Sequence, residues 1–267
     1  MRAAIRSELR KILTTRLWWV LLLIMIGTIA LFAGSLALAM ALAGDGASGG
    51  QELTVPPDQL ALTVYTAGVT LGYVFPLTFG AIVVTQEFRH RTIETAVLAE
   101  PSRARIVLAK LVATVPFAVL YGVASSAATL AVGAPALALA GDGAGLDGTD
   151  AWRALALSAV AMAAWMIVGV GFGTLVTNQV VVIVGLLAWT QLVEPILRIA
   201  LGLWDAAAPV ARFLPGAAGE AIAGSSFYSA SGLSDLLPAW AGLLVLLGYG
   251  AVAAAVGWLT TMRRDLT

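Results

Sequence analysis

EFRHRTIETAVLAEPSRAR, residues 87–105, decides how this chain is read. It is the longest charged segment in a sequence that is otherwise mostly apolar, and it lies between two long apolar runs. Arg89, Arg91, Arg103, Arg105 and, slightly further on, Lys110 place it on the cytoplasmic side of a membrane by the positive-inside rule. The stretch predicts a helix over about 86–99, stopped by Pro101, whose ring disfavours helix at the preceding Glu100. Pro101 then suits the first position of the next helix. Arg89, His90, Arg91 and Glu94 would project polar groups, while Ile93, Val97 and Leu98 pack under the membrane. A rigid amphipathic element joined to two spans can transmit a push from a soluble partner. A plain positive loop that only sets orientation has the same composition.

Working outward, hydrophobic residues make up 60% of the 267, charged residues 11%, and the mean hydropathy is +0.93. A soluble domain carries about 25% charge, so the class is an all-α polytopic membrane protein. Without cysteine there is no disulfide, thiolate metal site or cysteine nucleophile. The lone histidine, His90, leaves no histidine metal site or Ser-His-Asp triad to propose. The N-terminal apolar run ends in an A-x-A-like site at 41–43, but it is too long for a signal peptide's core and is read as a retained span.

Residues 1–16 read as an amphipathic helix lying in the membrane interface, with Ile5, Leu9, Ile12 and Leu13 on one face and Arg2, Arg6 and Arg10 on another. Six spans follow, at about 17–42, 59–86, 105–140, 151–177, 180–203 and 239–262, each near or above the 20 or so helical residues a hydrocarbon core needs. Trp18 and Trp19 sit where the first begins, at the interface indoles favour. Residues 204–238, with Pro209, Pro215 and Pro238, contain apolar pieces too short to cross and read as re-entrant helices in the outer half of the membrane. The whole chain is one transmembrane domain. With both termini cytoplasmic, twelve of the fifteen Lys and Arg lie in or beside cytoplasmic segments, the exceptions being Arg153, Arg198 and Arg212. Five or seven spans would put one basic cluster on the wrong face.

Several spans carry polar or structural signals. The second holds Thr63, Thr66, Thr70, Tyr73, Thr78 and Thr85, with Gly68 and Gly72 spaced for close packing and Pro76 placed to kink it. Its hydroxyls either bond to backbone carbonyls or line a path. Pro116 and Pro135 interrupt the third span, and Gly169, Gly171 and Gly173 give the fourth a smooth face for another helix. In the fifth, Glu194 and Arg198 are four apart and can pair across one helical turn. Either Pro195 ends the helix, leaving that pair an interfacial anchor, or the pair is deeper and forms, with Gln191, a polar gate to a cavity. Thr66, Thr70, Tyr73, Gln191, Glu194 and Arg198 are the candidate substrate-path residues.

The two lysines, Lys11 and Lys110, follow Arg and Ala, so no Gly-Lys-Ser/Thr phosphate loop exists and energy from ATP would have to come from another chain. Glu87, Thr92, Leu98, Pro101, Arg103 and Lys110 form the frame E-x4-T-x5-L-x2-P-x-R-x6-K. That frame resembles the signature of permease subunits of type-2 ATP-binding-cassette exporters, the drug, antibiotic and polysaccharide export class. The N-terminal helix, six spans, Leu214-Pro215 before the last span and the Arg263-Arg264-Asp265 tail extend the resemblance over the chain. It departs at Arg91, where the family usually has Gly.

The resemblance implies that 87–104 is a coupling helix docking on an ATPase through Glu87, Arg89, Arg91, Thr92, Glu94, Leu98, Pro101 and Arg103. It implies two ATPase copies that bind ATP and Mg, a second permease (identical or paralogous), a lipid bilayer as surroundings and no nucleic acid. No cofactor, metal or catalytic residue is expected on this chain, which would not itself be an enzyme. Export of a hydrophobic or amphipathic substrate across the cell membrane, as in drug efflux, is the expected function. The alternative is an ion-coupled secondary transporter using Glu194.

Overall fold

The computed structural model describes residues 1–44, 57–90, 92, 102–139, 143–204, 207–225, 229 and 235–260. The described residues are helical and contain six helices long and apolar enough to cross a membrane. In chain order the helices are α1 Arg2–Thr14, α2 Leu17–Gly44, α3 Pro57–Gly72, α4 Val74–Arg89, α5 Arg103–Leu139, α6 Thr149–Leu175, α7 Gln179–Ala188, α8 Glu194–Gly202, α9 Ala208–Ala211, α10 Pro215–Ala223 and α11 Ala239–Thr260. The first span is α2, the second α3 and α4, the third α5, the fourth α6, the fifth α7 and α8, and the sixth α11.

Proline chemistry explains how the spans bend. Pro76 lacks the N–H that would bond to Gly72, and the second span breaks at Tyr73, between α3 and α4. The third span differs from its expected interruption: Pro116 and Pro135 both lie inside one continuous 37-residue helix, about 55 Å long at 1.5 Å per residue. In the fifth span Pro195 does not end the helix. The turn before it widens into a π segment, Trp189–Val193, in which the Glu194 N–H reaches back five residues to Trp189 O. Pro195 then stands in the first turn of α8, and the widened turn before it accommodates its ring and its missing donor. Asn178 starts this span, its side-chain oxygen accepting from the Val180 and Val181 N–H groups.

The fourth span, α6, is the centre of the bundle, packed by α3, α4, α5, α10 and α11. Its glycines serve two faces rather than the single face expected. Gly169 and Gly173, one turn apart, press on α4, where a methyl at Gly169 would collide with the Leu77 carbonyl. Gly171, about 200° round the helix, instead meets Gly250 of α11. This close approach seats Tyr73 on Trp165, with ring centroids 4.4 Å apart. The core continues through Phe79, Phe117, Tyr121, Met162 and Met166.

Two peripheral elements are positioned by this core. α1 lays its apolar side against the bundle: Ile12 is buried, and Ile5 and Leu9 pack against the core beside α5. Leu13 is exposed, as are Arg2, Arg6 and Arg10. α10, nine residues long, is buried along Gly216–Ala223 among α3, α6 and α11. It is too short to cross a membrane and lies among helices that are not.

Candidate functional site

The buried charged groups among the described residues gather into two clusters. Tyr73, beside one, and Glu87, in the other, are fourteen residues apart on the second span, which is about 21 Å of helix.

The first cluster joins α1, α4 and α5. Lys11 Nζ lies 2.6 Å from Glu8 Oε1 and 2.6 Å from Glu87 Oε1. Lys110 Nζ lies 2.7 Å from Glu8 Oε2 and 2.8 Å from Glu87 Oε1. Glu8, Glu87 and Lys110 are buried, while Lys11 is half-exposed. Burial alone would raise the Glu8 carboxyl pKa, but Lys110 and Lys11 outweigh it and hold it below the usual carboxylate range. Burial would lower Lys11, yet Glu8 and Glu87 push its ammonium up. This cluster is what turns the apolar side of α1 inward, since Glu8 and Lys11 share a face with Ile5 and Ile12 at spacings of three and four.

The coupling residues expected in 87–104 divide accordingly. Glu87 and Arg89 do not open a separate helix; they form the last turn of α4, which runs to Arg89. Glu87 is 2% exposed, so its carboxylate faces the lysines and not a surface. Arg89 and His90 are exposed. The Thr92 N–H donates to Glu87 O at 2.9 Å, turning the chain away from α4. Arg91, Glu94, Leu98 and Pro101, with Ile93 and Val97, lie outside the described residues, and Arg103 is described only as the first residue of α5. Beside Arg89 a concavity of about 430 Å³ is lined by Phe88, Thr177, Asn178, Gln179 and Val180.

The second cluster joins α3, α8 and α10. Arg198 Nη1 lies 2.8 Å from Glu220 Oε2, and Arg198 Nε lies 3.5 Å from Glu194 Oε1. Glu194 Oε1 also accepts from the Gly216 N–H at 2.5 Å and the Ala217 N–H at 3.2 Å, at the start of α10. The absence of a side chain at Gly216 makes this approach possible, because a methyl there would meet the Glu194 carboxylate. All three ionisable residues are buried, Glu194 at 1% exposure. The premise of the anchor reading, that Pro195 ends the helix, does not hold, because α8 carries Glu194 and Arg198 on one continuous helix.

A cavity of about 210 Å³ opens on this cluster, lined by Thr70, Tyr73, Thr190, Gln191, Glu194, Arg198 and Glu220 among others. Five of the six expected path residues thus meet at one place. Thr66 is the exception: its hydroxyl donates to the Leu62 and Thr63 carbonyls. Thr85 likewise bonds back to Ala81 O, so the second span uses its hydroxyls both ways. Tyr73 donates to Thr190 O at 3.1 Å, tying the broken part of the second span to the widened turn of the fifth. Sequence reasoning missed Glu220. A lone acid in the Gly/Ala-rich piece 215–223 was the available signal, because ionisable groups among spans are candidates by default.

Together these features define a multi-pass helical membrane protein with a polar cavity among its spans. No protein-family model matches the sequence, and no curated protein matches it.

Proposed function

We propose that this chain is the permease subunit of an ATP-binding-cassette exporter, moving a hydrophobic or amphipathic substrate outward by alternating access. ATP and Mg would be bound by two copies of a separate ATPase, and a second permease, identical or paralogous, would complete the assembly in the cell membrane. N- and C-termini would be cytoplasmic. The observation that carries this reading is the junction of Glu87 with Lys110 at 2.8 Å. These residues are the two ends of the motif frame, and their pairing draws the ends of α4 and α5 into one unit with α1. A stretch held this way at both ends can pass a displacement of 87–104 to the second and third spans as a rigid movement. The polar cavity, lined from the second and fifth spans, supports this reading, since the resemblance implies that those two spans face a central cavity.

In this reading Glu87 positions the coupling element, and Arg89, exposed at the end of α4, is the docking contact. Inside-out membrane vesicles containing the chain and its ATPase should accumulate a lipophilic dye on addition of ATP, and collapsing ion gradients should leave uptake unchanged. Glu194, buried with its Oε2 atom unpartnered at the cavity, favours the ion-coupled transporter as the second reading. Uptake driven by an imposed proton or sodium gradient without ATP would select it.

A further inference from the structure

Among the described residues the lining of the Glu194 cavity contains two carboxylates, Glu194 and Glu220, one guanidinium, Arg198, and the Tyr73 phenol. Arg198 leans on both acids. The Glu194 carboxylate is divided in its bonding. Oε1 takes two backbone N–H groups and Arg198, whereas Oε2 is buried without a hydrogen-bond partner. Thr70 Oγ1, in the lining of the same cavity, is also buried without a partner. A buried carboxylate oxygen and a buried hydroxyl left without partners on one cavity are complementary to a cationic donor.

A second cavity tells what such a cation is attached to. It measures about 430 Å³ and is lined by Leu77, Phe172, Val182, Leu186, Trp189 and other apolar groups. The two cavities are neighbours: Thr190 lines both, and the stacked Tyr73 and Trp165 contribute one ring to each. Gly185 lines the apolar cavity and has open space where a side chain would begin.

We propose that the polar cavity takes the ammonium group of an amphipathic amine, held on Glu194 Oε2, while the apolar body of the same molecule fills the cavity that shares Thr190. This rests on the permease reading and names its substrate class. The ammonium could belong to a freely diffusing amphiphile or to an aminophospholipid, since both present the same donor on an apolar body. A neutral amphiphile of the same shape would leave Oε2 unsatisfied and bind more weakly.

The test is equilibrium binding of radiolabelled octylamine and octan-1-ol to the full chain in phosphatidylcholine nanodiscs, with empty nanodiscs subtracted. Saturable amine binding is expected, about tenfold tighter than that of the alcohol, the difference that one charge-assisted buried bond makes. Glu194→Gln should weaken the amine about tenfold and leave the alcohol unchanged. Gly185→Leu, which fills the apolar cavity, should weaken both. Each variant is checked for monodisperse elution. Should Glu194→Gln not fold, Thr70→Val should weaken the amine severalfold without affecting the alcohol. Alcohol binding as tight as amine binding, or amine binding indifferent to these polar substitutions, overturns the proposal. Phosphatidylethanolamine in the nanodisc decides the source: competition assigns the ammonium to a lipid, and no competition to a diffusing amphiphile. No ATP or ATPase is present. Failure to bind therefore leaves the permease reading standing, and failure of ATP-driven uptake leaves the binding result standing.

Discussion

The cluster at Glu87 and the cluster at Glu194 are both buried, yet they solve the burial of charge differently. At one end of the second span two acids meet two lysines, and each acid touches both. At the other, among the described residues, two acids share one arginine, and backbone N–H groups from α10 donate to Glu194. A balanced cluster holds elements together, because removing one of its buried members strands a buried charge. The second cluster, in contrast, opens on a cavity that its three ionisable residues line. The first therefore reads as structure that transmits, the second as a site that receives.

Substitutions can break this contrast, beginning with the largest effect. Arg198→Ala should cost about 3–5 kcal/mol, since it leaves Glu194 and Glu220 buried together without their cation. The measurement is thermal unfolding of the detergent-solubilised chain, and a loss below about 1 kcal/mol would contradict the pairing. Glu87→Gln should come next, at about 2–3 kcal/mol, because a bare positive surplus remains around Lys110. Glu194→Gln should cost less than about 1 kcal/mol, as it leaves Arg198 with Glu220 as a matched pair and the amide oxygen can still accept from Gly216. Equal losses for Glu87→Gln and Glu194→Gln would erase the distinction between the clusters. Lys11→Ala should be smallest, within about 1 kcal/mol, since Lys11 is half-exposed and water screens it.

Acidity sharpens the same comparison. Glu8 has its folded pKa held below the unfolded value of 4.5, so its contribution is present above that value and lost as pH falls through the lower, folded one. Lys11 has its folded value raised above 10.5, so its contribution is present below 10.5 and lost as pH rises through the folded value. The attachment of α1 should therefore hold between those limits and fail first in acid. Hydrogen-exchange protection of α1, followed from neutral pH downward, should drop below about pH 4.5 while α6 stays protected. Loss of α1 protection at pH 6 would contradict this ion-pair account.

Much of this was legible in the sequence because it is local. Six apolar runs, their cationic flanks, Pro76 and the Glu194–Arg198 spacing each depend on residues within a turn or a helix of one another. Thr70, Tyr73 and Gln191 were marked as polar groups within apolar helices, and the same rule reaches the cavity they line. What escaped was set by tertiary approach. Glu8 meets Lys110 across 102 residues, and Glu220 meets Arg198 across 22 with a break in helix between them. No periodicity encodes such partners. Glu87 was read as an outward contact because charge density alone says nothing of which way a side chain turns. Gly169, Gly171 and Gly173 looked like one smooth strip, but alternate residues of a helix point nearly opposite ways, and their packing on α4 and α11 follows from that.

The central claim is that energy enters from another subunit at the exposed end of α4. A photoreactive amino acid placed at Arg89, and in a separate variant at the exposed Leu31 of the first span, tests it in native membranes without knowledge of the substrate. Cross-linked products are identified by mass spectrometry. The account predicts a nucleotide-hydrolysing subunit joined at position 89 and not at position 31. No such adduct at position 89, or equal capture at both positions, would contradict it.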